Sequence, residues 1–198
     1  MLFSLAPTAV CLIQRPGGPP HAQMVSPGWH DELSSVSGWG PLSLENKAHV
    51  FHSDEGEMLL SLNHVPGGWP YQYQWSGVTR DVQADLGRWP VLMARCTGVL
   101  GYAHMDIEVL DRAGKVVKGF RSSTITSAGV SEVDLRASLD PAVYTLRLRL
   151  IVGGPNEGCS ATYDWVRFVS RPDAQALRAH PETLATSIGQ FIHRRRDR

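Results

Sequence analysis

The sequence predicts an all-β fold, an antiparallel β-sandwich of the jelly-roll kind. From Trp39 to residue 170, short apolar runs alternate with polar residues, and turn signals separate the runs. The 13 prolines and 19 glycines of the chain provide those turns. No helix-like stretch interrupts the predicted strands in this range, which favours two packed sheets over an alternating α/β arrangement.

Two segments show the alternation most clearly. Residues 143–152 place apolar and polar side chains on opposite faces, and residues 104–110 do the same. Residues 111–115, with Gly114 at the sharp point, predict a hairpin connection. One apolar face and one polar face are typical of an antiparallel sheet with one side in solvent. Further strands are predicted at 48–51, 58–62, 78–86, 91–96, 116–120, 133–135 and 161–169.

Three segments are expected along the chain. Residues 1–38 are interpreted as a leader or linker because residues 14–38 are rich in Pro, Gly and Ser, and residues 39–170 form the sandwich. Residues 171–198 form a short helical, basic tail, with helices at 174–179 and 182–193. The apolar residues 1–13 are consistent with an export signal, a misassigned start being the alternative. We therefore expect an extracellular or cell-envelope location.

Composition and motifs argue against several classes of function. The net charge is 0, so no overall field favours nucleic acid. No apolar run reaches the ~18 residues of a membrane span. Serine-nucleophile, phosphate-loop and zinc-ligand spacings are also absent from the sequence. Of the three cysteines, only Cys96 and Cys159 lie in the predicted sandwich, either as a disulfide or as two buried thiols.

The segment at residues 69–75 reads Trp-Pro-Tyr-Gln-Tyr-Gln-Trp, and its rings fall on alternate positions, which share one face of a strand. The rings form either the inner wall of the sandwich or an exposed platform that stacks on a sugar. A mixed arrangement assigns Tyr73 and Trp75 to the core and leaves Trp69 and Tyr71 exposed. The candidate glycan-binding residues in this segment are Trp69, Tyr71, Gln72, Tyr73, Gln74 and Trp75.

A second candidate surface is charged. Asp106 and Glu108 lie opposite the apolar face of one strand, and Arg147 and Arg149 lie opposite that of another. If these strands share a sheet, the four side chains form one charged face. Arg147 and Arg149 are then candidate ligand-binding residues, with cross-strand ion pairs as the alternative. The two carboxylates, Asp106 and Glu108, also suggest the hypothesis of a glycoside-cleaving enzyme, which needs two carboxyl groups. Acidic residues two positions apart on a strand are common, so this spacing is not specific for catalysis.

Four segments in order resemble a known family. They are residues 82–92 (VQADLGRWPVL), 107–115 (IEVLDRAGK), 144–150 (YTLRLRL) and 163–168 (YDWVRF). These segments are similar to the strand–turn–strand, central hairpin, post-turn strand and closing strand of galactose-binding-like jelly rolls. That class includes carbohydrate-binding modules, and the resemblance covers residues 39–170. Its motifs are structural, so the fold follows from them more directly than the function.

The resemblance implies a non-catalytic carbohydrate-binding domain that recognises glycan by aromatic stacking. It also implies a structural calcium ion between Glu45 and Asp164, which match the family's acidic positions by order along the chain. One alternative is a structural or protein-interaction accessory domain of a larger secreted protein. The other is a small glycan-cleaving hydrolase or lyase on the same scaffold.

Overall fold

The computed structural model describes residues 28–42, 49–54, 57–62, 74–154 and 158–179. The described part is an antiparallel β-sandwich of the jelly-roll type with one short helix after the last strand, as the sequence predicts. The elements are β1 (His30–Asp31), β2 (Gly40–Pro41), β3 (His49–Asp54), β4 (Glu57–Leu62), β5 (Gln74–Asp85), β6 (Val91–Leu100), β7 (Tyr102–Leu110), β8 (Val116–Arg121), β9 (Gly129–Asp134), a 3-10 turn (Leu135–Ala137), β10 (Val143–Gly154), β11 (Cys159–Val169) and α1 (Arg171–Ala179).

The strands form two sheets. The six-stranded sheet has the order β3-β4-β11-β6-β9, with β1 also paired to β11. The five-stranded sheet has the order β2-β5-β10-β7-β8. An apolar core lies between them, and each fully buried aliphatic side chain contributes about 1.5–3 kcal/mol to folding. Core residues from both sheets include Val78, Leu92, Met105, Leu148 and Phe168.

Strand β10 is the centre of the five-stranded sheet. It pairs with β5 along its whole length and with β7 on its other side. Leu146, Leu148 and Leu150 are buried in the core, while Arg147 and Arg149 lie on the opposite face. The predicted alternation of this strand is therefore confirmed, and the condition for one charged face is met, because the strand pairs directly with residues 102–110.

Strand pairing extends into the segment that we assigned to a leader or linker. His30 in β1 lies opposite Arg167 in β11, and the Gly28 amide donates to the carbonyl oxygen of Phe168 at 2.7 Å. The Arg167 side chain is buried and its Nη2 lies 3.1 Å from Glu32 Oε1. Burial lowers the pKa of Arg167, which Glu32 partly offsets. Residues 28–31 thus belong to the described sandwich and not to a linker.

Helix α1 begins at Arg171, three residues before the predicted start. Ser170 explains the difference, because its Oγ accepts from the Asp173 amide at 3.3 Å and its carbonyl oxygen accepts from Ala174. Ala174 and Leu177 pack on the outer face of the six-stranded sheet, against Met93 and Trp165. The predicted helix at 182–193 lies outside the described residues.

Cys96 and Cys159 are both buried and are not joined by a disulfide. Burial raises the pKa of the Cys96 thiol to about 11, and the thiol donates to the Gly98 carbonyl oxygen at 3.4 Å. The alternative of two buried thiols therefore applies, and Cys96 behaves as a small apolar side chain.

A polar cluster fastens the N-terminal segment to the edge of the sandwich. One carboxylate oxygen of Asp31 accepts from Trp39 Nε1 at 3.0 Å and from Arg80 Nη1, and the other accepts from the Leu33 amide at 2.8 Å. The Arg80 guanidinium also lies over the Trp29 ring, 5.4 Å from its centroid. Hydrogen bonds to charged groups are stronger than neutral ones, so this cluster holds β1 in place.

We expect Asp31→Asn to lower the free energy of unfolding by about 1.5 kcal/mol, because it turns a partly buried charged acceptor into a neutral amide. Urea unfolding followed by fluorescence measures the change. Asp81→Asn is the matched control: Asp81 also pairs with an arginine but is half exposed, so its loss should change the free energy of unfolding by less than about 0.5 kcal/mol. Equal effects of the two substitutions would contradict this account.

Candidate functional site

The outer face of the five-stranded sheet carries the candidate site. Alternation along β5, β10 and β7 directs one set of side chains into the core and the other set to this face. The strand register then aligns the outward positions in rows across the sheet. One row is Trp75, Gly153 and Tyr102, the next is Gly77, Ile151 and His104, followed by Thr79, Arg149 and Asp106, and then Asp81, Arg147 and Glu108.

Three ion pairs occupy the charged half of this face, and we call them the ion-pair ladder. Arg147 donates two hydrogen bonds to Asp81, from Nε to Oδ1 at 2.8 Å and from Nη2 to Oδ2 at 3.1 Å. Arg149 Nη2 lies 2.9 Å from Glu108 Oε2. These pairs confirm that the predicted charged residues of two strands form one face. They also show the cross-strand pairing that was the alternative to a ligand face.

The third pair of the ion-pair ladder comes from the edge strand β8. Arg121 Nε donates to Asp106 Oδ1 at 2.6 Å and Nη2 donates to Oδ2 at 3.0 Å. The hydrogen bond to Asp106 raises the pKa of Arg121, and the hydrogen bond to Asp81 raises that of Arg147. The planar guanidinium groups of Arg121 and Arg147 are thus each fixed by two hydrogen bonds to one carboxylate, which orients their remaining N–H groups for in-plane hydrogen bonds to a ligand.

The aromatic end of the face begins at Trp75. Its side chain is 38% exposed, so the expectation that the core takes Trp75 is wrong. The reason is the register: Trp75 lies opposite Gly153 on the outward side, while Ser76 and Val78 take the inward positions. Trp69, Tyr71, Gln72 and Tyr73 lie outside the described residues. Gln74 is the first residue of β5, and its side chain also lies outside the described part.

Two glycines at outward positions leave space that neighbouring side chains fill. A Cβ atom on Gly153 would overlap the Tyr102 ring, so this ring reaches from β7 across β10. A Cβ atom on Gly77 would overlap the Leu150 carbonyl oxygen and lie 3.1 Å from Ile151 Cδ1. The absence of side chains here lets Tyr102 and Ile151 lie close to the backbone of the sheet.

His104 is a buried histidine on this face, only 6% exposed. Its ring is nearly parallel to that of Tyr102, with 12° between planes and 5.9 Å between centroids. Burial lowers the pKa of His104; Asp106 opposes this shift and Arg121 adds to it. Four residues of this face were not among the predicted site residues, because only the strand register brings them together: Tyr102, His104, Asp81 and Arg121.

The structure describes only one of the two predicted calcium ligands, Asp164. Glu45 lies outside the described residues, and Asp164 Oδ2 accepts from Arg95 Nη1 at 2.9 Å. No group of three or more His, Cys, Asp or Glu side chains suited to a metal ion occurs among the described residues. At Asp164 a guanidinium already supplies the positive charge that calcium would bring. The calcium site remains a prediction.

The six-stranded sheet carries a separate cleft of about 470 Å³. Its described lining contains two arginines, Arg95 and Arg178, but neither a carboxylate nor a histidine. Both arginines pair with carboxylates nearby, Arg95 with Asp164 and Arg178 with Glu132 at 2.7 Å. This lining does not supply the pair of carboxyl groups that glycoside cleavage needs.

Among the helices that the structure describes, none is long and apolar enough to cross a membrane.

Comparison with known proteins places similar strand arrangements in several solved structures. The family 11 carbohydrate-binding module of the cellulosomal cellulase Lic26A-Cel5E of Clostridium thermocellum is similar over 75% of this chain and 97% of its own, at 15% identity and a TM-score of 0.49. The CBM22-1 xylan-binding domain of Xyn10C from Paenibacillus barcinonensis is similar over 75% of this chain and 98% of its own, at 12% identity and a TM-score of 0.41.

A third similar structure is the enzymatically active domain of tailspike protein 4 from bacteriophage CBA120. It matches 70% of this chain and 20% of its own, at 14% identity and a TM-score of 0.46. No protein-family model and no curated protein matches the chain. Carbohydrate-binding modules, the class that the sequence resembles, are thus among the solved structures similar to this chain. A likeness this distant assigns no ligand to it.

Proposed function

We propose that this chain is a non-catalytic carbohydrate-binding domain and that a glycan binds to the outer face of its five-stranded sheet. The observation that carries the proposal is the exposed indole of Trp75, at the end of a face whose other end is the ion-pair ladder. A sugar offers C–H groups for stacking on a ring and hydroxyl groups for planar polar partners. This face supplies both kinds of partner.

The ion-pair ladder suits binding because its side chains are already ordered. Arg147 and Arg149 are each paired with a carboxylate on a neighbouring strand, so little rotamer freedom is left to lose when a ligand arrives. The opposite charges are also balanced within the ladder, which suits uncharged hydroxyl groups better than a strongly charged ligand. A neutral polysaccharide is therefore the expected ligand at neutral pH.

The pairing of the carboxylates supports a binding role over a catalytic one. Asp106 is held by Arg121, and Glu108 is held by Arg149. Glycoside cleavage needs one carboxyl group as an acid and a second as a base or nucleophile. Two carboxylates tied to guanidinium groups are poorly placed for those roles. A domain of this kind fits the expected extracellular or cell-envelope location.

A protein-interaction role is the second candidate, and a specific surface favours it. Val116, Val117 and Val143 are 40%, 61% and 65% exposed, and the register places them at the same end of the five-stranded sheet. Exposed apolar side chains gathered in one region often mark a contact with another protein. This end of the domain is where a parent protein or partner would bind.

The proposed function is tested by affinity electrophoresis of the full chain through gels that contain soluble neutral polysaccharides, together with a glycan array. We expect retardation by at least one neutral polysaccharide. Arg149→Gln should weaken that binding by roughly fivefold, equivalent to about 1 kcal/mol, because a charged donor is lost. The matched control is Arg178→Gln, an ion-paired arginine of α1 on the other sheet, which should bind like the wild type.

Two outcomes would contradict the proposal. If no polysaccharide retards the folded chain and no glycan on the array binds, the chain does not recognise carbohydrate. If Arg178→Gln weakens binding as much as Arg149→Gln, the ligand does not bind to the outer face of the five-stranded sheet. Circular dichroism of both variants establishes that they are folded.

A further inference from the structure

His104 is the one group of the described ion-pair ladder region whose charge can change near physiological pH. Its Nε2 lies 3.6 Å from Asp106 Oδ1, beyond a normal hydrogen bond, and neither ring nitrogen has a hydrogen-bond partner. The same Asp106 oxygen accepts from Arg121 Nε at 2.6 Å. A neutral imidazole and a charged guanidinium therefore lie beside one carboxylate, and at present the guanidinium holds it.

Among the described residues, few other charges surround His104. On β7 itself, Tyr102 stacks on the ring and Asp106 lies two residues away. Strand β8 contributes Arg121, which pairs with Asp106. On β10, the apolar Ile151 lies directly opposite His104, and Arg149 lies opposite Asp106. On β5, the next position in the His104 row is Gly77, which carries no side chain.

The balance of charge in this region depends on His104. The three carboxylates of the ion-pair ladder match its three guanidinium groups, so the ladder is neutral while the imidazole is neutral. Protonation of His104 adds one positive charge that no carboxylate of the ladder is left to match. The proton enters a site with little contact to water, where a charge interacts more strongly with its neighbours than in solvent.

We propose that His104 switches the charge preference of this face: in acid, its imidazolium takes Asp106 from Arg121, and the freed Arg121 makes the face a site for acidic glycans. The proton comes from solvent to Nε2, and no covalent bond other than this N–H forms. Arg121 can leave without a large penalty, because it is 64% exposed and regains water. The choice of ligand rests on the proposed function, whereas the exchange of partners does not.

Protonation should therefore raise the affinity for one kind of ligand and not for the other. One added charge about 6 Å from a ligand carboxylate corresponds to roughly a three- to tenfold gain in affinity for a uronic-acid polysaccharide. A neutral polysaccharide gains nothing from that charge and meets a rearranged ladder. We expect its affinity to stay equal or fall as the pH is lowered.

The exchange of partners is tested without any glycan. NMR titration of the full chain follows the His104 imidazole and the Arg121 Nε–H together. We expect the two to shift with one common midpoint, lying below the ordinary histidine value of 6.5, because burial lowers the pKa. His104→Phe should remove the Arg121 shift, whereas His30→Phe, a substitution of the exposed histidine on β1, should keep it. An Arg121 signal that does not follow His104 would overturn the exchange.

The charge preference is tested with two probes, polygalacturonate and hydroxyethylcellulose, in affinity electrophoresis at about pH 5 and about pH 7.5. We expect tighter binding of polygalacturonate at the lower pH, and a flat response in both His104→Gln and His104→Phe. The charge preference would be overturned if these variants still bound polygalacturonate more tightly at the lower pH. It would also be overturned if the wild type bound polygalacturonate equally at both pH values while NMR showed the exchange of partners. If neither probe bound at either pH, the proposed link between His104 protonation and glycan binding would be refuted. The NMR titration would still show whether His104 takes Asp106 from Arg121.

Discussion

Replacement of Gly101 by alanine is expected to lower the free energy of unfolding by about 4 kcal/mol. Gly101 joins β6 of the six-stranded sheet to β7 of the five-stranded sheet, and it has a φ of 95°. An added Cβ atom would overlap the Gly153 carbonyl oxygen and lie 3.0 Å from Cys159 Cβ. The overlapped atom belongs to the backbone of β10, which cannot shift without breaking its pairing with two strands.

Gly114 separates the two causes of that loss. It also has a positive φ, 78°, but apart from its two chain neighbours no described residue has an atom within 4 Å of an added Cβ, because Gly114 is at the tip of the β7–β8 hairpin. Gly114→Ala should therefore show the backbone penalty alone, about 1–2 kcal/mol. Chemical denaturation of both variants gives the difference. Equal losses in the two variants would show that close packing against β10 does not matter.

The same glycine positions the aromatic end of the candidate site. Tyr102 follows Gly101 directly, and its ring lies over Gly153 beside His104. A shift of this turn would move Tyr102 away from the row that it forms with Trp75. A Gly101→Ala protein that folds at low temperature should accordingly show altered chemical shifts at His104.

The strands could be predicted because burial on one face imposes a period of two on the sequence. Residues 104–110 and 143–152 show that period, and the structure buries Met105, Ile107 and Leu148 as expected. The turn after β7 could be predicted for a related reason, since Gly114 needs the positive φ that alanine resists. These features depend on neighbours in sequence or on burial alone.

The site could be predicted only in part because it depends on the strand register. Asp81 and Arg147 are 66 residues apart, and nothing local to either indicates that β5 and β10 align them. The alternation of β7 placed His104 on the polar side, yet the structure buries it beneath its neighbours. The alternation of rings at residues 69–75 left two faces open, and the pairing of Trp75 with Gly153 decided between them for that residue.

Replacement of Trp75 by alanine is expected to weaken binding of a neutral polysaccharide by roughly 30-fold, equivalent to about 2 kcal/mol. The indole offers the largest exposed ring surface among the described residues of the face, and stacking of a sugar on it excludes water from both. Because most of the side chain is covered although 38% is exposed, its removal should also lower the free energy of unfolding, by about 1–2 kcal/mol, so folding and binding have to be measured together. Isothermal titration calorimetry and urea unfolding measure the two quantities separately.

Two variants determine whether stacking explains that loss. Trp75→Phe keeps an aromatic ring and should recover most of the affinity, since a phenyl ring also stacks on sugar C–H groups. Leu100→Ala removes an apolar side chain that is 63% exposed on the other sheet, and it should bind like the wild type. If Leu100→Ala weakens binding equally, the effect is a general loss of apolar surface. If Trp75→Ala binds normally, the ligand does not stack on this ring and the outer face of the five-stranded sheet loses its main support as a glycan site.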